Sequence, residues 1–258
     1  MLGGLLLNKY LFAALFLVMM VTMLHEFYRM TMGDRYKFSR VLAILVGCCG
    51  FGILFSIKAF GLDIRYADIT VILLILVMVS SLLVKDKADF KLFAFLYTGL
   101  LYIAVPLILS NCVVFDLAGG FDGKMMLAFF IIIWASDVGA YCIGMLFGKN
   151  GKKLFPSISP NKSWAGFWGG LAFAVIAGLI LVWSGLWKYP FLHAVILSVV
   201  MNIAGVYGDL FESQWKRSCG VKDSGSIIPG HGGMLDRFDS ALFAIPAGII
   251  YLVIVGLI

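Results

Sequence analysis

The residues best equipped for chemistry crowd into one stretch, Gly208 to Asp239. It carries the acids Asp209, Glu212, Asp223, Asp236 and Asp239 and the bases Lys216, Arg217, Lys222 and Arg237. Asp236 and Asp239 are three residues apart, so they share one face if a helix starts near Met234. Asp209 and Ser213 are four apart, as are Glu212 and Lys216. Carboxylates on two facing helix ends make a hard oxygen site for Mg²⁺, which takes one or two carboxylates plus substrate phosphates. That reading makes Asp209, Asp236 and Asp239 the metal ligands, with Asp223 a weaker candidate for the same site. Pro229-Gly230-His231-Gly232-Gly233 is a glycine-rich turn leading into a helix. Its amides and the helix N-terminus can hold phosphate oxygens, and the four bases can neutralise several phosphate charges. His231 either orients a pyrophosphate, donates a proton or simply shapes the turn. A solvated, membrane-anchoring charged loop is the plain alternative. Both signs of charge clustering with glycines near a helix start argue against it.

A second group lies upstream. Asp137 sits in the middle of an apolar run, where burial must be compensated by a cation or by hydrogen-bond donors. Asp137, Tyr141 and Gly144 fall at i, i+4 and i+7, on one helix face. Ala140, Gly144 and Gly148 recur every fourth residue, a spacing that reads first as close helix packing. The loop that follows contains Ser159, Lys162 and Ser163.

The elements that position these groups follow from composition. The chain has 258 residues, 62% hydrophobic and 13% charged, with mean hydropathy +1.02. A soluble domain carries about 25% charged residues, so one aqueous core cannot hide this apolar surface. Apolar runs occupy roughly 10–25, 41–57, 66–84, 92–111, 125–147, 164–186, 190–208 and 239–258. Each is near the ~20 residues that cross a bilayer. Lipid cannot satisfy a backbone, so these runs are helices. Alternating barrel segments are absent. The expectation is an all-α polytopic membrane protein of about eight helices, or nine if the long loop hides a re-entrant piece. The chain reads as a single membrane domain over 1–258, with N-terminal helices in 1–124 and catalytic helices and loops in 125–258.

Fifteen of the 20 Lys and Arg residues lie in alternate loops, those after the first, third, fifth and seventh runs. The positive-inside rule puts those loops, and the chemistry near the C-terminus, in the cytoplasm. Net charge +6 suits anionic headgroups or phosphate substrates. The five cysteines have no metal-ligand spacing and read as packing residues. His25 and His193 read as interfacial. Glu26 reads as the interfacial ion-pair partner of Arg29, or else as lining for a lipid entrance. The first run ends without a small-residue cleavage site, so it reads as a retained span.

The order S-x-x-K-R-x-x-x-x-K-D-x-G-x-x-x-P-G-H-G-G-x-x-D-R-x-D, Ser213 to Asp239, resembles the signature of phosphatidate cytidylyltransferases, also called CDP-diacylglycerol synthases. Asp137 to Gly144 and the Ser159–Gly166 loop resemble a second segment of that family. Two positions depart from the family's loop: Asn161 stands where a Lys is usual, and Ala165 where a Glu is usual. The resemblance implies that CTP and phosphatidate give CDP-diacylglycerol and pyrophosphate. The lipid phosphate is ionised near neutrality, so the obstacle is anion repulsion, which metal ions and Lys/Arg groups remove. That fits a segment without a Ser/His/Asp or Cys/His arrangement.

In the implied site Lys216, Arg217, Lys222 and Arg237 hold the triphosphate and lipid phosphate. Ser213, Gly230, Gly232 and Gly233 position the nucleotide, and Asp137 and Tyr141 border the lipid phosphate or a second cation. Ser159, Lys162 and Ser163 complete the substrate contacts. The implied cofactor is Mg²⁺, with a second, monovalent cation as the alternative count. The implied partners are CTP, phosphatidate, the lipid bilayer and a second copy of the chain, with no nucleic acid. The implied location is the cell inner (plasma) membrane. A cytidylyltransferase for an isoprenoid ether-lipid phosphate would use the same site. A transporter would spread its charges along several helix centres and show repeat symmetry. A CDP-alcohol phosphotransferase would need a different aspartate spacing from Asp236-Arg237-Phe238-Asp239.

Overall fold

The computed structural model describes residues 5–84, 87–116, 119–149, 151–225 and 232–258. Gly230 and His231 lie outside the described residues. Eight helices are long and apolar enough to cross a membrane. They are α1 (Lys9–Met32), α2 (Lys37–Phe60), α3 (Ile64–Leu83), α4 (Asp89–Val114), α5 (Lys124–Phe147), α6 (Trp164–Trp183), α7 (Phe191–Ser218) and α8 (Leu235–Ile254). The all-α, multi-pass architecture is the one that composition demands. Among the described residues the sheet content is one antiparallel hairpin, β1 (Lys153–Phe155) with β2 (Ser159–Ser163).

Several helices outrun their apolar stretches. The segment after Gly208 reads as a polar loop, yet α7 continues through it to Ser218. Glu212 and Lys216 join one turn apart at 2.9 Å, and Ser213 Oγ donates to Asp209 Oδ1 at 3.4 Å. Such i,i+4 pairs let a helix persist beyond its apolar core. It stops at Gly220, whose φ of 70° few side chains tolerate. There the Gly220 amide bonds to Arg217 O and the Val221 amide to Lys216 O, closing the end with a glycine cap.

The chain divides into two compact units. The first comprises Met1–Asp122 and Asp223–Arg237. Its core is aromatic: Phe12 packs on Phe16 at 4.3 Å and on Phe51 at 6.1 Å, and Phe55 meets Phe115 edge-on at 5.4 Å. Tyr28 is fully buried and donates to Leu96 O at 2.8 Å, which ties α1 to α4. α4 carries a wide turn, Leu100–Ala104, just before Pro106, which cannot continue the ladder of amide donors.

The second unit comprises Gly123–Lys222 and Phe238–Ile258. Here α5 and α6 approach through small residues. A side chain at Gly139 would lie 2.6 Å from Phe173 Cβ, and one at Gly166 would lie 3.0 Å from Ala140 O. In lipid, association rests on such backbone proximity, because apolar burial gives little net drive. The four-residue spacing of Ala140, Gly144 and Gly148 therefore serves packing. α7 and α8 meet in the same way at Gly208, 2.6 Å from Asp239 O if a Cβ were added.

Candidate active site

A cavity of about 590 Å³ opens in the second unit. α5 contributes Ser136, Asp137, Tyr141 and Gly144; β1 and β2 contribute Lys153, Asn161, Lys162 and Ser163. α7 adds Asp209 and α8 adds Asp239 and Ser240. Residues separated by about 100 positions in the sequence thus share one concave surface. Asp137, Tyr141, Asp209 and Asp239 were predicted from type and spacing and Lys162 and Ser163 from the family resemblance, and the fold gathers all six there.

Each is held by an identifiable local device. The hairpin carries Lys162 to Asp209, with which it forms an ion pair. Ser163 ends β2 in extended conformation and caps α6, its Oγ accepting from the Gly166 amide at 3.1 Å. Ser163 is therefore a helix cap as well as a wall residue. Lys153 is turned back, its Nζ donating to Gly148 O at 2.9 Å. The Ser136 hydroxyl donates to Asn202 Oδ1 at 2.7 Å, tying α5 to α7. Asp239 Oδ1 accepts from the Ser240 amide at 2.6 Å.

The electrostatics are lopsided. Asp239 is in electrostatic contact with Asp209, Glu212 and Asp137, all of its own sign. Gathering like charges costs several kcal/mol unless a cation or donors offset them. Lys162 offsets Asp209 in part. The remaining excess of carboxylate oxygen is what a hard divalent cation would complement. Among the described residues no three His, Cys, Asp or Glu side chains form a ready-made cage. Mg²⁺ does not need one, since it usually keeps waters and takes substrate phosphates as ligands. The donor chemistry therefore fits the ion.

The other described residues of the predicted set are not among those lining this cavity. Ser159 sits at the start of β2, paired with Phe155. Ser213 and Lys216 point to their α7 neighbours, with Lys216 engaging the fully buried Glu212. Arg217 Nη1 donates to Val221 O at 3.4 Å. Lys222 and Asp223 are exposed.

Gly232, Gly233, Asp236 and Arg237 belong to the first unit. There Asp236 Oδ2 accepts from the Gly233 amide at 2.7 Å and from the Ser224 amide and hydroxyl, both at 2.9 Å. The Gly233 amide, predicted to face a phosphate, thus donates to the protein's own carboxylate. Gly232 has φ 82°, and a side chain there would meet Asp236 Oδ2 at 2.7 Å.

The profile of the cytidylyltransferase family matches residues 1–255. The chain belongs to that family. A phosphatidate cytidylyltransferase of Staphylococcus haemolyticus (strain JCSC1435) is 37% identical over 167 residues, 64% of this chain and 61% of the relative. The protein of that name from Bacillus subtilis (strain 168) is 45% identical over 116 residues, 45% of this chain and 42% of the relative. That of Staphylococcus saprophyticus is 46% identical over 117 residues, 45% of this chain and 44% of the relative. The matched segments span between 42% and 61% of these relatives' own length.

Two features, one in each unit, escaped sequence reasoning. One is the hairpin, whose short strands carry no apolar alternation; Asn161, noted only as a departure, lines the cavity through it. The other is Glu26. It does not act through Arg29: its carboxylate accepts from the Met234 amide at 2.9 Å and the Leu235 amide at 2.8 Å. An acid at the end of an apolar run was the available signal, but nothing local named its partner.

Proposed function

We propose that this membrane protein transfers a cytidylyl group from CTP to phosphatidate, giving CDP-diacylglycerol and pyrophosphate. One observation carries the reading: Asp137, Asp209 and Asp239 line one cavity together with Lys162 in a chain of the cytidylyltransferase family. In the reaction an oxygen of the lipid phosphate bonds to the α-phosphorus of CTP, and the bond to the bridging oxygen breaks, so pyrophosphate leaves with that electron pair. No side chain need remove a proton, because the attacking phosphate is already ionised.

What the chain must do is hold anions together. Lys162 and Lys149, both on the cavity wall, lower the repulsion between the two substrates. Asp209 and Asp239 would hold Mg²⁺, whose contribution is to offset charge on the triphosphate. Asp137 is placed to border the lipid phosphate or a second, monovalent cation. Exposed Tyr141 and Met145 on α5 continue the cavity onto an apolar face, along which acyl chains can remain in the bilayer. Asp236 serves the turn that starts α8. The cavity faces the cytoplasm of the plasma membrane in this reading, on the basic-loop asymmetry of the sequence, and the working form is a homodimer.

Purified protein supplied with phosphatidate, labelled CTP and Mg²⁺ should form a lipid-linked nucleotide and release pyrophosphate. Failure to form product at any Mg²⁺ concentration overturns the proposal. Asp209→Asn and Asp239→Asn should each lower turnover by at least about a hundredfold while the protein stays folded.

A further inference from the structure

Glu26 is buried, 4% exposed, on α1, two hundred residues before the segment it touches. Its two carboxylate oxygens divide their work. Oε1 accepts from the Met234 amide at 2.9 Å and Oε2 from the Leu235 amide at 2.8 Å. The Ser224 hydroxyl stands 3.4 Å from Oε2 and 2.9 Å from Asp236 Oδ2, so it bridges the two acids. The backbone has been kept clear around this carboxylate. A side chain at Gly225 would meet Oε1 at 2.7 Å and one at Gly233 would meet Oε2 at 2.6 Å. All of these residues belong to the first unit.

Met234 and Leu235 are where α8 begins. The first amides of a helix have no partner within it. Glu26 satisfies two of them with its carboxylate, an acceptor set at the positive end of the helix. Asp236 lies in that first turn, and Asp239 follows three residues later on the same helix. α8 is one continuous helix from Leu235, so its start bears on the direction in which Asp239 leaves it.

We infer that Glu26 is a positioning residue for the transferase reaction: from α1 it anchors the first turn of α8 and thereby aims the acid that α8 presents. The inference rests on the cytidylyltransferase reading above. It differs from an interfacial ion pair, which would leave turnover untouched. It also differs from simple fold support, which would change stability and not the rate of the folded enzyme.

The test uses the full chain in detergent or proteoliposomes. Glu26→Gln keeps length and shape but turns an amide donor toward a backbone donor. Gly225→Ala keeps the acid and displaces its carboxylate, so a folding failure in one variant leaves the other to decide. For either variant kcat per folded protein should fall roughly 10–100-fold, the usual effect of losing a group that orients a ligand-bearing acid. KM for CTP should stay within about threefold, since the substrate's own contacts remain. Deuterium uptake in a peptide covering 232–240 should speed up in parallel. Wild-type kcat in both variants overturns the inference, whether or not uptake changes. Wild-type protein that forms no product overturns the reading beneath it. Uptake then decides alone: faster exchange supports the anchor and unchanged exchange overturns it.

Discussion

Gly208 offers the sharpest test of how α7 and α8 create the site. A methyl group there would lie 2.6 Å from Asp239 O and 3.1 Å from Phe243 Cβ. The carbonyl is part of a helix backbone and cannot rotate away. Restoring ordinary contact near 3.4 Å requires α8 to retreat by about 0.8 Å. Asp239 is the residue being pushed, so the displacement falls on a proposed cation ligand. Misplacement on the order of 1 Å can cost about a hundredfold in rate, and overpacking costs about 1–3 kcal/mol in stability. Gly208→Ala should therefore lose between one and two decades of turnover along with a lower Tm.

The control lies one turn earlier on the same helix. A methyl at Gly205 would find its nearest neighbour, Ser240 Cβ, at 3.6 Å, an ordinary contact. Gly205→Ala should keep wild-type turnover, and its Tm should hold or rise, because Ala favours a helix by about 1 kcal/mol over Gly. The assays are CTP turnover and thermal unfolding in one detergent. Equal behaviour of the two alanine variants would refute the reasoning, which rests on the closer approach of Gly208 to α8.

Other substitutions separate binding from support. Asp239→Asn should raise Tm by a few degrees in metal-free buffer while abolishing turnover, because it removes one of several mutually repelling charges; a lower Tm would show that Asp239 is a structural acid. Asp236→Asn should instead lower both, since three donors converge on that carboxylate; a rise in Tm would contradict the assignment. Lys162→Met should cut turnover at least about tenfold by releasing Asp209 and removing a phosphate-facing charge, with Lys162→Arg recovering part of it. Ser163→Ala should cost about 1 kcal/mol of stability through the lost α6 cap, read as a lower Tm.

The helices were legible because lipid leaves the backbone no other choice, and eight apolar runs gave eight spans. Their ends were not. Hydropathy stops where apolar residues stop, whereas α7 runs on through Asp209, Ser213 and Arg217 on side-chain pairs one turn apart. The cavity acids were legible for a related reason. Asp137 in an apolar run and Asp209 and Asp239 at run ends are costly positions that composition exposes at once. The hairpin bringing Lys162 and Asn161 to them was hidden, because its strands are short and polar and its register depends on Phe155 and Ser159. Long-range pairings such as Glu26 with Leu235 were hidden altogether, since no periodicity joins residues 209 positions apart.

That last pairing changes what the dense C-terminal signature means. So many fixed positions suggest that each touches substrate. In the structure the Gly233 amide, Ser224 and the first turn of α8 are already committed to two carboxylates of the chain itself. Gly225, Gly232 and Gly233 are small because those carboxylates stand where their side chains would be. A turn that must hold buried Glu26 and half-buried Asp236, satisfy four backbone amides and start a helix tolerates few substitutions. Much of the described signature is thus engaged in building that mount, while the proposed cavity also draws on α5 and the hairpin.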